Sequence, residues 1–191
     1  MKLINIINNY SAEGEAPRFY LKADTALLRN NDAFYIPDGV GRIMAEAHIV
    51  LKVSRLAKCI GERFAQRCID GVMAGVTFTA VDRLEAARRE GLPWDEAVGF
   101  DHSSALSLDT LQRDDMLQGA TLYINSEERL RLAVQDMRFT PDRVVSHLSE
   151  AMTLRIGDLI FLGSSEQFEI KAGDNIKVKI GEHTMLDFDI K

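Results

Sequence analysis

The sequence predicts an α+β fold that is mainly β with a few helices, and three stretches carry that expectation. Ala45 to Val53 alternates with period two, which puts Ala47, Ile49, Leu51 and Val53 on one face and Glu46, His48, Val50 and Lys52 on the other. Val76 to Val81 is rich in β-branched and aromatic residues and runs at once into a helical stretch, Arg83 to Glu90. Near the C-terminus, Arg155-Ile156-Gly157-Asp158-Leu159-Ile160 is echoed by Lys171-Ala172-Gly173-Asp174-Asn175-Ile176. Each Gly-Asp there reads as a turn that delivers the chain into a strand.

Taken in order, Lys2 to Ile7 reads as a strand, followed by a polar loop from Asn8 to Pro17. Phe34 to Pro37 is a short strand ended by Asp38-Gly39, and the Glu46/His48 strand then runs to about Val53. Gly61 to Asp70 has helical spacing, with Phe64, Cys68 and Ile69 on one face. Gly91 closes the helix that follows Asp82, and Pro93 prevents its continuation. Asp109 to Asp115 reads as a charged loop, and Gly119 to Asn125 as a strand. Arg129 to Leu132 alternates as a strand does. Thr140-Pro141-Asp142 opens a helix, with a capping hydroxyl, a proline in the first turn and an acid at the positive end of the dipole. Leu159 to Leu162, Ile176 to Ile180 and Thr184 to Ile190 supply the closing strands.

A chain of 191 residues with no linker or low-complexity tract is expected to be one domain, 1–191, with a substantial core. Its net charge of −6 argues against nucleic acid as a partner, since neutralising phosphates takes clustered Lys and Arg. No apolar run is long enough to span a membrane, and the start of the chain is too short in apolar residues for a signal peptide. Cys59 and Cys68 form no Cys-x-x-Cys and read as small buried hydrophobes in a reducing compartment, which makes the cytoplasm the expected location. No nucleophile elbow, phosphate loop or dinucleotide fingerprint is present.

The chemistry-bearing residues cluster around two stretches. Glu46 and His48 on one face of a strand aim a carboxylate and an imidazole at one point, although a surface strand has the same pattern. Asp82 sits where a strand meets a helix and is either an N-cap or a metal ligand. His102 has a pKa range suited to acid–base work, and its alternative is a surface loop histidine.

Four motifs then carry a resemblance to the fumarylacetoacetate hydrolase family. They are Glu46-Ala47-His48-Ile49, Asp82 after the strand, Gly91-Leu92-Pro93-Trp94, and Val98-Gly99-Phe100-Asp101. Phe19 to Leu28 and Met152 to Ile160 extend the likeness in the same order over nearly the whole chain. The resemblance implies a mixed β-roll and a homodimer. It also implies a divalent metal, Mn²⁺ or Mg²⁺, acting on a small oxo acid, a 1,3-dicarbonyl or its enol. The steps would be C–C hydrolysis, decarboxylation or isomerisation through a metal-stabilised enolate.

Carried over residue by residue, the ligands would be Glu46, His48 and Asp82, with His48 in place of a glutamate. Two carboxylates and an imidazole favour Mn²⁺, Fe²⁺ or Zn²⁺ over Mg²⁺, and the alternative is a strand histidine in a site that has lost its metal. Lys22, Asp101 and Ser164 would contact substrate and His102 would move a proton. Ser164 also reads as an ordinary turn residue. Leu92 and Val98 stand where the family has lysines, and the Arg and Gln that usually follow the ligand Asp fall on Ala86 and Arg89. These departures favour a rival reading, a metal-free binding or structural protein of the same fold.

Overall fold

The computed structural model describes residues 1–11 and 14–191, so the part of the first polar loop at positions 12 and 13 lies outside the described residues. The strands are β1 (Leu3–Ile6), β2 (Phe19–Lys22), β3 (Leu27–Leu28), β4 (Ile43–Val53), β5 (Ile69–Ala80), β6 (Ser104–Leu106), β7 (Ala120–Ile124), β8 (Glu127–Leu132), β9 (Leu159–Phe161), β10 (Phe168–Ile170), β11 (Asn175–Ile180) and β12 (His183–Asp189). The helices are α1 (Glu62–Ala65), α2 (Val81–Glu90), α3 (Asp95–Val98) and α4 (Pro141–Ala151).

Eight strands form one sheet in the order β2-β1-β9-β4-β5-β6-β3, with β10 added to the side of β4. A four-stranded sheet, β12-β11-β7-β8, packs against it. The sheet is mixed: β1 runs parallel to β9, whereas β4 is antiparallel to both β5 and β9. The curl of the large sheet is visible in one hydrogen bond. Lys22, on the edge strand β2, reaches the carbonyl of Ser103, just ahead of β6 near the opposite edge, at 2.7 Å. The expected mainly β architecture with few helices is what the chain adopts.

The alternation of β4 decides where the core lies. Ala45, Ala47, Ile49, Leu51 and Val53 all enter the main core, where Phe34 stacks on Phe78 at 3.8 Å between centroids. Burial of this face is the principal stabilising term, since each large aliphatic side chain removed from water contributes roughly 1.5–3 kcal/mol. The opposite face leads into the hollow of the roll, where Val50 joins Leu3, Met73, Leu106, Leu159 and Phe161 in a smaller apolar cluster.

Local signals hold at most elements. Gly91 closes α2 in the left-handed conformation (φ 67°), and Thr140 caps α4 by accepting from the Arg143 amide at 3.1 Å. The Gly-Asp echo is structural: Asp158 accepts from the Arg155 amide and Asp174 from the Lys171 amide, both at 2.8 Å. Gly157 and Gly173 both carry positive φ, so the two turns share one design.

Four expectations need correction, the first at Phe34 to Pro37, where Phe34 makes an isolated bridge to Ile190 and no strand forms. Gly61 to Asp70 is not one helix: α1 spans four residues, Gln66–Cys68 is a 3₁₀ turn, and Ile69 already belongs to β5. Pairing with β4 along eleven register positions outweighs the weak helical spacing there. Cys59 is exposed and has φ 50°, and only Cys68 is buried. Arg113–Gln118 winds into a 3₁₀ helix, held by a reciprocal capping box between Gln112 and Asp115, where a plain loop was expected to run to Asp115.

Candidate active site

Glu46 and His48 lie side by side on the hollow face of β4, each paired across to β5, Glu46 with Thr77 and His48 with Gly75. Thr77 ties them together: its hydroxyl stands 2.8 Å from His48 Nε2 and 3.4 Å from a Glu46 oxygen. The second Glu46 oxygen accepts from the Gln167 side chain. Gly75 is needed for this arrangement, because a Cβ there would come within 2.5 Å of the Phe161 ring and 2.8 Å of Val50. That room lets Phe161 lie edge-on to the His48 ring, 5.5 Å between centroids.

Burial sets the protonation of this group. His48 is 2 % exposed, and burial, reinforced by the nearby Lys22 charge and opposed by the Gly163 backbone, pushes its pKa down to about 3. The imidazole is therefore neutral at working pH. Burial raises the Glu46 pKa, against the lowering effects of Gln167, Lys22 and Thr77. Lys22 is only 4 % exposed, and burial brings it down to about 7, with Glu46 pulling it back up. Its ammonium donates to the Ser103 carbonyl and, at 3.2 Å, to the Ser103 hydroxyl. Among the described residues no carboxylate comes within ion-pair distance of it. Burial and Glu46 together raise the Tyr20 pKa, so that phenol stays a hydrogen-bond donor.

A cavity of about 230 Å³ opens over Glu46, lined also by Tyr20, Thr79, Arg88, Trp94, Val98, Ser164 and Gln167. Arg88 lies over the Trp94 ring at 5.5 Å, and among the described residues it has no ion-pair partner. It is a cation held at the rim and free to meet an anion. Val98, at a position where the family resemblance expects a lysine, contributes only a hydrocarbon wall. Ser164 lines the cavity too, and its hydroxyl donates to the Glu166 carbonyl at 3.0 Å.

The structure does not bring Asp82 to this site. Its carboxylate is gripped by Arg42, accepting from the backbone amide at 2.8 Å and from the guanidinium at 2.9 and 2.7 Å. Those bonds lower its pKa, and the side chain remains 44 % exposed. Gly41, with φ 80°, is required beneath it, since a Cβ would collide with the carboxylate. The end of the strand explains the displacement. Thr77 and Thr79 share the face of Glu46, but β5 stops at Ala80 and Asp82 already lies in the first turn of α2. Nor is Asp82 the N-cap of α2, which is Ala80; it sits in the first turn, where a carboxylate still suits the dipole. Among the described residues no three His, Cys, Asp or Glu groups gather in a way that could hold a metal ion.

Asp101 and His102 also lie elsewhere. Both are exposed in a turn, His102 at φ 62°, and they border a separate open hollow with Tyr35, Asp38 and Lys191. Sequence reasoning missed Thr77, Arg88 and Gln167. The four-residue spacing of Leu84 and Arg88 on α2, both in the cavity lining, was an available signal for Arg88. Gln167, on a loop, gave none.

The roll is one curled mixed sheet whose polar cluster opens into a small cavity. The model of the fumarylacetoacetate hydrolase C-terminal domain matches residues 5–190, so the chain belongs to that family. A mitochondrial oxaloacetate tautomerase of Arabidopsis thaliana is 27% identical over 100% of this chain and 91% of its own length. An oxaloacetate tautomerase of Escherichia coli is 24% identical over 92% of this chain and 82% of its own length. Among solved structures, a fumarylpyruvate hydrolase from Pseudomonas aeruginosa in complex with Mn²⁺ and pyruvate superposes with a TM-score of 0.90 at 21% identity. That match covers 100% of this chain and 89% of the other. A fumarylacetoacetate hydrolase family protein of Yersinia pestis gives a TM-score of 0.91 at 24% identity, covering 100% and 93%. No helix among the described residues is long and apolar enough to cross a membrane.

Proposed function

We propose that this chain interconverts the keto and enol forms of a small oxo acid carrying a second carboxylate, of the kind its tautomerase relatives are named for. The observation that carries this reading is Glu46, a carboxyl group of raised pKa on the wall of a cavity sized for a small acid. Its carboxylate accepts the proton from the carbon next to the carbonyl, and the electron pair moves onto the carbonyl oxygen. The same group, now protonated, returns the proton to that oxygen. Arg88 holds one substrate carboxylate, and Tyr20 and Gln167 offer hydrogen bonds within the cavity. Thr77 and neutral His48 fix the Glu46 carboxylate from behind.

Isomerisation asks less of this site than C–C hydrolysis, because it needs no activated water. The test is the decay of the enol absorbance of oxaloacetate with protein, set against Glu46→Gln. A rate above buffer that the substitution removes supports the reading. Decay at the buffer rate leaves the rival, a binding protein without turnover, and the failure of Asp82 to join Glu46 and His48 favours that rival.

The chain is also proposed to be one domain, cytoplasmic, and a homodimer. Large apolar side chains such as Leu21, Leu56 and Ile156 stand exposed, and dimerisation would cover some of them. Sedimentation at micromolar concentration giving only monomer would remove the dimer.

A further inference from the structure

The donor set does not fit the divalent ion that the family resemblance implies. Glu46 and His48 are two donors, and the third expected ligand is bound to Arg42 outside the site. Both Glu46 oxygens already accept hydrogen bonds, and His48 Nε2 is spent on Thr77. A hard cation that takes six oxygen ligands finds too little here.

A positive charge already stands beside the pocket. We propose that the pocket is a metal-independent anion site, in which the buried ammonium of Lys22 supplies the charge that a divalent ion would otherwise bring. This rests on the oxo-acid reading above and deepens it.

Three observations support the assignment. Lys22 is buried, yet among the described residues it has only Ser103 as a hydrogen-bond partner and no carboxylate at ion-pair distance. A buried ammonium so weakly compensated is costly unless an anion joins it. It stands beside the pair at the cavity: its partner Ser103 precedes Ser104, which pairs across to Thr77, the residue that bonds both Glu46 and His48. A second cation, Arg88, stands at the rim without a carboxylate partner among the described residues, so one cation faces the cavity and another stands beside its wall. A divalent ion placed between them would be repelled by both, whereas the dianion of an oxo diacid is attracted by both. Lys22 acts here as a positioning residue through its field, since it lies behind the cavity wall and does not line it.

The test uses chelator-treated protein and oxalate, a dianion shaped like an enolised oxo acid. Titration calorimetry with oxalate is expected to give the same affinity with EDTA as with Mn²⁺. Mn²⁺, Mg²⁺ and Zn²⁺ alone are expected to leave the melting temperature unchanged. Lys22→Met should weaken oxalate at least about tenfold, the scale of a unit charge acting a few ångströms beyond contact at a protein-like effective dielectric. Should Lys22→Met fail to fold, the parent protein still decides: oxalate affinity must fall as pH rises through about 7, where Lys22 loses its charge, Glu46, His48 and Tyr20 being the other titratable groups nearest it. Oxalate binding that appears only with Mn²⁺, or a melting temperature raised by Mn²⁺ in the parent but not in His48→Ala, overturns the inference and leaves the oxo-acid reading in place. No oxalate binding under either condition overturns both.

Discussion

The two faces of β4 are built from the same eleven residues and obey opposite rules. One face, Ala45 to Val53 by twos, is wholly apolar and packs into the main core. The other carries Glu46, His48, Val50 and Lys52 and turns into the hollow of the roll, where buried polar groups bond to one another. The first face is organised by area removed from water, which is tolerant of detail and large in sum. The second is organised by a few hydrogen bonds and charges in a space with little water, where one changed atom matters more than several square ångströms. A single strand thus separates what holds the protein together from what it acts with.

Substitutions on the two faces should therefore move different observables. The largest stability effect belongs to the core side: Leu51→Ala should cost about 2–5 kcal/mol in denaturant unfolding, while oxalate affinity in the folded protein stays as it was. Glu46→Gln should do the reverse, lowering kcat for enol conversion by roughly 10²- to 10⁴-fold, the usual contribution of one acid–base group, with little change in melting temperature. If both variants lose stability alike, the separation between the faces is wrong.

Lys22 sharpens the comparison through pH. Its folded pKa of about 7 lies below the ordinary 10.5, so between those values the unfolded chain binds more protons than the folded one. Stability from this group therefore rises with pH across that window and is missing below it. Lys22→Met should flatten that rise in unfolding curves taken at pH 7 to 10. Arg88→Gln should raise KM for a dicarboxylic oxo acid about tenfold and leave stability alone, since it removes one charge-assisted contact at an exposed rim. Asp82→Asn should have the smallest effect: melting barely moves and added Mn²⁺ gives no shift in either protein. A Mn²⁺ stabilisation lost in that variant would restore Asp82 as a ligand.

The fold was legible because its signals are periodic. Alternation over Ala45 to Val53, the strand-to-helix switch after Val76, and the repeated Gly-Asp turns each recur or extend over several residues, so one exception does not hide them. The site was legible only in part. Glu46 and His48 were readable because their strand is, and Lys22 because it falls on the lysine of the family pattern over Phe19 to Leu28. Asp82 was placed in the site by the family pattern, and the end of β5 at Ala80 denies it, because Asp82 already lies in the first turn of α2. Asp101 and His102 lie in a turn whose direction depends on the positive φ at His102, which the residue names do not announce. Gln167 reaches Glu46 from far along the chain, and such long-range partners leave no local trace.

β1 is the first strand of the chain, yet it lies parallel to β9, with Lys2 bonded to Asp158 at the join. Closing a loop of nearly the whole chain costs only slowly more entropy with length, but it delays folding, because the reward comes after the closure. The cavity inherits that schedule. Tyr20 and Glu46 stand far ahead of Ser164 and Gln167 in the chain, so the lining joins segments from both sides of that long loop. The pocket is therefore complete only once that distant closure is made, since residues from both segments line it.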